Sequence, residues 1–219
     1  MNSEFLMNTS LFRNMNEAEI KDALDSLKAT EKSYKKGEYI FYAGDTTDSM
    51  ALVLDGNVTI ENNDAWGNHT VLNSMGKGHL FAETYALLDD EPLLVDVVAQ
   101  DNCSILFLRI GSIKILQNRN ESWTKKLMSS LLVILSHRSL ALSGRSFHTA
   151  PKTIRSRVMS YLNAVSIKKH SNEFDIPFDR QQLADYLGVE RSALSKELGK
   201  MRDDGIISVK KNHFKILVN

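Results

Sequence analysis

The sequence predicts an α+β fold made of an N-terminal antiparallel β-roll, one long helix and a small C-terminal helical domain. Short alternating apolar runs separated by glycine turns fill the segment from Thr30 to about Arg109. A proline-free helical pattern then runs from Asn120 to about Gly144, and a helix–turn–helix spacing follows Asp179. We therefore predict three parts: a roll over residues 1–119, a helix and hinge over 120–148, and a C-terminal domain over 149–219.

Composition and charge favour a globular protein with one basic end. The 219 residues are 42% hydrophobic and 25% charged. The net charge of zero divides into −5 for residues 1–150 and +5 for residues 151–219, which indicates that only the C-terminal part meets a polyanion. No purely apolar run is longer than that of Leu131–Leu135, which is far shorter than the ~20 residues of a membrane span. We expect a cytoplasmic protein without a signal peptide or membrane partner.

The predicted roll is preceded by a short helix. Ile20, Leu24 and Leu27 lie at helical spacing over Asn16–Leu27, with Asn14 or Asn16 as the N-cap. Six of the eleven glycines then fall between residues 37 and 78, in turns such as Asp55-Gly56-Asn57 and Trp66-Gly67-Asn68. Many short strands at this spacing are typical of an antiparallel sandwich, roll or barrel.

The long helix carries two neighbouring apolar heptad stripes. One contains Leu127, Leu131, Ile134, Arg138 and Ala141, and the other contains Met128, Leu132, Leu135, Ser139 and Leu142. One stripe can cover the roll while the other pairs with a second copy, so we predict a homodimer through helix 120–144. The alternative is a single buried helix in a monomer. Ser143–Ser146 and Pro151 predict the end of this helix and a hinge.

The C-terminal segment has the spacing of a helix–turn–helix motif. Helical residues Thr153–Val165 and a strand-like link, Phe174–Phe178, precede it. Asp179 can cap a first helix, and Gly188 suits a turn that needs positive φ. The predicted core residues of the two helices share helical spacing: Leu183, Ala184, Leu187, Val189, Leu194, Leu198 and Met201.

The second helix and the strands after it present polar and basic groups. Its outer face carries Arg191, Ser192, Ser195 and Lys196, which suit base edges and phosphates in the major groove of double-stranded DNA. Two short strands, Ile206–Val209 and Phe214–Val218, flank the basic turn that contains Lys210 and Lys211 and would form a wing against phosphate. The alternative is a helical hairpin and β-ribbon that serve packing alone.

Residues 12–219 resemble the cyclic-AMP receptor protein / fumarate-nitrate regulator (Crp/Fnr) family. The resemblance is carried by Lys36-Gly37-Glu38, Ala43-Gly44-Asp45, Leu54-Asp55-Gly56-Asn57-Val58, and Leu187-Gly188-Val189 with Arg191 to Lys196. It implies a cyclic-nucleotide-binding-like roll, a dimerisation helix and a winged helix-turn-helix. It also implies a homodimeric transcription regulator that binds a pseudo-palindromic DNA site, with RNA polymerase as a partner if it activates.

The same resemblance assigns roles to the DNA-facing residues. Arg191, Ser192 and Lys196 match positions that contact bases, with Ser195 alongside, and Arg180 and Gln181 match positions that contact phosphate. Lys196 departs from the family, in which most members have arginine, and lysine cannot make the planar two-pronged contact with guanine. The full predicted DNA-binding set is Arg180, Gln181, Arg191, Ser192, Ser195, Lys196, Lys200, Lys210 and Lys211.

The sensor region departs more strongly. Members that bind cyclic AMP use a Gly-Glu motif for the ribose and an Arg-Ser pair for the cyclic phosphate. Here Glu83 is present, but Leu93 and Leu94 replace the pair and offer a phosphate neither charge nor hydrogen bond. We predict a small, partly apolar organic effector other than cyclic AMP, bound by Glu83, Thr84, Leu93 and Leu94 and enclosed by Arg138 and Ser139. The alternative is that the leucines fill the roll and no effector binds.

Other function classes lack their characteristic residues. A cupin-type metalloenzyme needs clustered histidines, and His69 and His79 are the only histidines in the predicted roll. The lone Cys103 lies in an alternating strand and cannot hold an iron–sulfur cluster. We therefore predict no metal, no cofactor and no enzyme activity. A ligand-binding signalling module that acts through protein contacts without DNA remains the alternative.

Overall fold

The computed structural model describes residues 3–63, 69–88, 90–111 and 121–218, and the chain divides into two compact units. The first unit spans Met1–Ile134 and the second spans Leu135–Asn219. The predicted turn at residues 66–68 and the predicted helix start at Asn120 lie outside the described residues. The three-part division predicted from the sequence stays a prediction.

Two helices precede the strands. The short helix α1 (Ser3–Met7) has no counterpart in the sequence prediction, whereas α2 (Glu17–Ser26) lies where a helix was expected. Asn16 is the N-cap, because its side chain accepts a hydrogen bond from the Glu19 amide and the Glu19 carboxylate accepts one from the Asn16 amide. Asn14 instead has a φ of 70° and does not cap the helix.

Eight strands of the roll lie in the described part of the predicted segment. They are β1 (Thr30–Tyr34), β2 (Tyr39–Phe41), β3 (Ser49–Asp55), β4 (Asn57–Asn63), β5 (His69–Gly76), β6 (Leu80–Phe81), β7 (Asp96–Ala99) and β8 (Cys103–Arg109). A short helix, α3 (Glu83–Leu87), follows β6. The strands form two antiparallel four-stranded sheets with the orders β1-β8-β3-β6 and β2-β7-β4-β5. An antiparallel roll is therefore confirmed.

The two faces of the first sheet belong to different cores, because side chains alternate along a strand. Ala51 and Val53 join Val58 and Val97 of the second sheet in the core of the roll. Met50 and Leu52 on the opposite face pack in a separate cluster with residues of α1, α2 and the long helix. This second cluster holds the N-terminal helices against the roll.

The long helix α4 (Ser122–Thr149) continues past its predicted end. The prediction that Ser143–Ser146 interrupt it is wrong, because one glycine costs a helix only about 1 kcal/mol and its flanking residues tolerate helical geometry. Contacts of the last turn, described below, favour its continuation. By length and composition α4 could cross a membrane: its most apolar 18-residue window has a mean hydropathy of 1.3.

The first predicted stripe of α4 packs as expected over its N-terminal half. Leu127 and Leu131 are buried in the cluster beside the roll and Ile134 packs against it, whereas Ala141 is exposed. The second stripe begins with Met128, which packs against the same cluster, but its Leu132 is 68% exposed and its Leu142 is 70% exposed. The second stripe is therefore the more open of the two, and its exposed leucines are the uncovered stripe of α4.

The second unit contains three more helices and a small sheet. These are α5 (Ile154–Lys169), β9 (Glu173–Asp175), α6 (Arg180–Leu187), α7 (Arg191–Asp203), β10 (Ile207–Lys210) and β11 (His213–Ile216), with sheet order β10-β11-β9. Helix α5 is one turn longer than predicted and is capped by Thr153. Strand β9 is shorter than the predicted Phe174–Phe178 link. The helices and strands share one apolar core, so the predicted winged helix-turn-helix is confirmed.

Candidate nucleic-acid interface and effector pocket

Helix α6 is fixed at both ends by its own sequence. The Asp179 carboxylate accepts a 2.8 Å hydrogen bond from the Gln182 amide, and the Gln182 side chain accepts a 2.9 Å bond from the Asp179 amide. At the other end Gly188 has a φ of 63°, the left-handed conformation expected of the turn residue. The predicted inward residues Leu183, Ala184 and Leu187 are all fully buried.

Helix α7 separates an apolar side from a polar side. Leu194, Leu198 and Met201 are buried against α5, α6 and the small sheet, as the sequence predicted. The helical period then turns the candidate reading residues to solvent, and all of them are exposed: Arg191, Ser192, Ser195, Lys196 and Lys200. The structure thus presents these side chains for contact without placing them in a core.

Glu190 is a residue of this interface that the sequence reasoning missed. It is the N-cap of α7: its carboxylate accepts a 2.8 Å hydrogen bond from the Ala193 amide and a second bond from the Ser192 hydroxyl. The hydrogen bond from Ser192 is the largest of the effects that lower the Glu190 pKa. The signal in the sequence was an acidic residue beside the start of the helix, where the helix dipole favours negative charge. Ser192 is therefore held by Glu190 in the unbound protein.

The predicted wing is a hairpin of β10 and β11. Lys210 lies opposite His213, and Lys211, exposed at the turn, has a φ of 55°. His213 Nδ1 lies 2.9 Å from an Asp175 carboxylate oxygen, and its Nε2 lies 3.2 Å from Glu173. These two carboxylates raise the His213 pKa, with Asp175 the larger influence. Both predicted wing lysines are available to a phosphate.

Two further predicted phosphate contacts begin α6. The Arg180 guanidinium lies over the Phe214 ring, 5.3 Å from its centroid, and burial lowers the Arg180 pKa. Gln181 donates a 2.8 Å hydrogen bond to Asp185. Arg180 is half-buried and Gln181 is exposed. The wing strand thus orients Arg180 by packing against it.

Two arginines, neither of them predicted from the sequence to have a role here, bond to the carboxyl end of α6. Arg157 donates to the carbonyl oxygens of Leu187, at 3.0 Å, and Gly188, at 3.1 Å. Arg145, from the last turns of α4, donates to those of Asp185, at 3.1 Å, and Tyr186, at 3.3 Å. Carbonyls at a helix end lack partners within the helix, so these contacts stabilise the turn before α7.

The predicted effector residues have contrasting environments. Glu83, at the start of α3, is fully buried, and Thr84 beside it is exposed. Leu93 is 2% exposed, and its amide and carbonyl bond to Asp45 and Gly44, whereas Leu94 is 72% exposed. Arg138 and Ser139 belong to the second unit. The structure therefore buries one of the two leucines that replace the family's phosphate-binding pair.

Residues of the types that bind metal ions are not clustered in the part of the chain that the structure describes. No group of three His, Cys, Asp or Glu side chains there is placed to hold a metal ion. His79 is exposed, and its Nδ1 lies 3.0 Å from the Gly76 carbonyl oxygen in a local turn. Cys103 is buried in β8.

Comparison with known protein families decides the assignment. The family profile "Cyclic nucleotide-binding domain" matches residues 31–120, and the profile "Crp-like helix-turn-helix domain" matches residues 156–218. The chain belongs to the Crp/Fnr family of transcription regulators. Its function is DNA-binding regulation of transcription, through a sensor roll and a winged helix-turn-helix. Regulators of this type bind DNA and are dimeric.

Relatives of known function span most of the chain. The transcriptional activator protein FnrA of Stutzerimonas stutzeri is 24% identical over 202 residues, which cover 90% of this chain and 80% of FnrA. The cyclic AMP receptor protein of Thermus thermophilus is 28% identical over 174 residues, covering 80% of this chain and 77% of that protein. Both are proteins to which this Crp/Fnr regulator is similar along its two domains.

Solved structures show the same fold. The catabolite activator protein of Thermus thermophilus aligns with a TM-score of 0.51 at 23% identity and covers 95% of this chain and 93% of its own. The c-di-GMP-responsive regulator CLP of Xanthomonas campestris aligns with a TM-score of 0.57 at 18% identity. This alignment covers 93% of this chain and 100% of the CLP chain. These likenesses concern the fold of the regulator.

Proposed function

We propose that this Crp/Fnr regulator is a cytoplasmic homodimer that places two α7 helices in successive major grooves, about 34 Å apart on a pseudo-palindromic site. The observation that carries this proposal is the exposed outer face of α7 beside a wing with two exposed lysines. Arg191, Ser192, Ser195 and Lys196 would contact base edges. Arg180, Gln181, Lys200, Lys210 and Lys211 would contact phosphates.

Dimerisation would use the uncovered stripe of α4. Leu132 and Leu142 lie at coiled-coil spacing and are more than two-thirds exposed. A second copy of this helix suits the stripe better than lipid does, because His137, Arg138 and Arg145 interrupt the apolar surface. The homodimer thus supplies two DNA-binding domains. RNA polymerase is a further partner if the DNA-bound regulator activates transcription.

The experiment is a selection from random DNA duplexes at fixed salt, followed by anisotropy titration of the selected sequences. An inverted repeat with half-sites about one helical turn apart is expected. Arg191→Ala should relax the preference at one base position and reduce specific affinity by about tenfold or more. Arg202→Ala, at the far end of the same helix, is the control because Arg202 pairs with its neighbour Asp203. Equal selectivity in both variants would show that Arg191 does not read a base and that the assigned reading face is wrong at this position.

Effector control would come from the roll. We propose that the effector is not cyclic AMP bound in the family's usual mode. Leu93 is buried and gives a cyclic phosphate no hydrogen-bonding side chain, and burying a charge beside it is strongly disfavoured. Cyclic AMP at 1 mM should leave the unfolding temperature unchanged, since only a ligand that binds the folded state raises it. A saturable rise in that temperature would overturn this part of the proposal. Candidate organic effectors can be screened by the same shift.

A further inference from the structure

A groove of about 470 Å³ is lined by strands of both sheets of the roll and has no part in the proposed function. Its described lining comes from β1, β2, β3 and β8 and from the segments that adjoin them. It does not include the predicted effector residues Glu83, Thr84, Leu93 or Leu94. The groove is therefore a second candidate site for a small molecule in the sensor unit.

Three aromatic rings form the apolar part of this groove. Phe107 of β8 lies opposite Thr30 of β1, so both project from the same face of the sheet. Phe41 of β2 meets Phe107 edge-on with ring centroids 5.9 Å apart, and Tyr34 lies 6.4 Å from the same ring. All three rings are half-buried. They offer a flat aromatic molecule a partly preformed apolar surface.

Positive charge surrounds these rings. Lys28, Lys32 and Arg109 line the groove, and its described lining contains no acidic side chain. The Lys32 ammonium lies 5.4 Å from the centroid of the Phe107 ring. Arg109 is paired with Asp48 at 2.8 Å, which leaves the two lysines as the unopposed charges of the lining. The groove thus combines an aromatic surface with lysine side chains in its lining.

Hydroxyl groups also line the groove, at Thr30, Thr47 and Ser49. Two of them already donate within the protein: the Thr47 hydroxyl donates to the Ser49 carbonyl oxygen at 3.1 Å, and the Ser49 hydroxyl donates to the Asp48 carboxylate at 2.9 Å. These bonds fix one edge of the groove. A carboxylate or sulfonate can accept from the Thr30 hydroxyl and from ammonium groups together.

We propose that this groove binds a planar aromatic anion, with its ring system on Phe107, Phe41 and Tyr34 and its acidic group at Lys28 and Lys32. The volume matches that of small-molecule sites, which begin at about 300 Å³. The alternative is that these lysines, on or beside an edge strand, only prevent edge-to-edge pairing of sheets. In that case the groove binds no ligand. The two roles give different results with suitable probes.

The first test titrates the full-length protein with 2-naphthoate and with 2-naphthamide, which has the same ring system without the charge. Calorimetry should show saturable binding of the acid and at least about threefold weaker binding of the amide, because one exposed ion pair contributes that much. Affinity for the acid should also fall as salt rises. Equal affinity of the two probes, or no saturable binding at millimolar concentrations, would overturn the proposal.

The second test locates the site with surface variants that leave the fold intact. Lys32→Gln should weaken 2-naphthoate binding about threefold, and the Lys28→Gln/Lys32→Gln double variant about tenfold. Lys36→Gln is the matched control, since Lys36 is an exposed lysine just beyond β1 that does not line the groove. In wild-type protein, 2-naphthoate should shift the amide NMR signals of β1 and β8. Shifts confined to the exposed face of α4, or equal affinity in all variants, would show that the groove is not the site.

Discussion

Arg157 Nη1 donates a 3.0 Å hydrogen bond to the carbonyl oxygen of Leu187, the last residue of α6. The same nitrogen lies 3.1 Å from the Gly188 carbonyl oxygen, and Arg157 Nε donates to Pro151 at 2.8 Å. One side chain therefore connects the segment before α5 to the turn of the helix-turn-helix motif. Because α7 starts three residues after Gly188, the position of the DNA-reading helix depends on this connection.

Arg157→Gln should loosen the turn. A hydrogen bond from a charged donor contributes about 1.5–3 kcal/mol, and glutamine cannot reach three carbonyls at once, so we expect a loss of about 1–2 kcal/mol in the local opening free energy. Hydrogen exchange at the Val189 amide, which bonds to Ala184 at 3.0 Å, measures this opening. Arg202→Gln is the control. Unchanged exchange at Val189 would show that the turn is held without Arg157, by Gly188 and by the Arg145 bonds to Asp185 and Tyr186.

Lys196→Arg should change DNA specificity more than DNA affinity. Lysine donates from a single point, whereas arginine donates two parallel bonds to guanine O6 and N7, a contact worth about 1–3 kcal/mol of discrimination. Competition between duplexes that differ at one base pair should therefore show a gain of about tenfold or more for guanine at one position. Lys200→Arg, one turn further along α7, should leave base preference unchanged. A uniform gain over all sequences would place Lys196 on phosphate instead.

Leu142→Glu should dissociate the dimer. Leu142 belongs to the uncovered stripe of α4, and facing glutamates in a pair of helices repel each other and lose apolar burial of about 1.5–3 kcal/mol per leucine. Sedimentation at micromolar concentration should give a monomer and anisotropy a loss of palindrome binding. Ala141→Glu, on the first stripe and exposed, is the control. A dimeric Leu142→Glu protein would place the interface elsewhere.

The C-terminal unit should lose stability in acid because of His148. This side chain is 8% exposed, and burial lowers its pKa from the ordinary 6.5. Tyr161 and Tyr186 pack against it, with the Tyr186 hydroxyl 2.9 Å from Nδ1, and Arg145 covers the Tyr186 ring. The unfolded chain therefore takes up this proton at higher pH than the folded chain. The contribution of His148 is present above pH 6.5 and declines as the pH falls below it.

Thermal unfolding at pH 7.5 and pH 5.5 measures this effect. His148→Gln should reduce the difference between the two temperatures, whereas His137→Gln, exposed on the same helix, should not. His213 works in the opposite direction. Asp175 and Glu173 raise the His213 pKa, so its contribution is present below pH 6.5 and is lost as the pH rises through the folded value. A full pH series separates the two groups.

Much of the fold was predictable because its signals are local. The limits of the roll, Thr30 and Arg109, follow from where alternating apolar residues begin and end. Asp179 and Gly188 specify the two ends of α6 through a side-chain cap and a positive φ. Helix α7 follows the spacing of Leu194, Leu198 and Met201. These features require only a few neighbouring residues and the period of a helix or strand.

The errors lie where distant residues compete with local preference. Gly144 and its serine neighbours favour a break, yet Arg145 and His148 bond to Asp185 and Tyr186 about forty residues away, and the helix continues to Thr149. Arg157 has no local signal for its bonds to Leu187 and Gly188. Glu190 had a weak local signal, since glutamate is not a usual N-cap residue but a carboxylate at the start of a helix is favoured by the helix dipole.

The sequence by itself determined the order of the elements, the polar face of α7 and the basic turn of the wing, because helical and strand periods and turn residues are properties of short segments. Only the tertiary structure decided which arginines hold the α6 turn and how far α4 extends. It alone also places Lys28, Lys32 and Phe107 around one groove. Those arrangements depend on side chains brought together by sheet register and core packing, and spacing along the chain does not encode such distances.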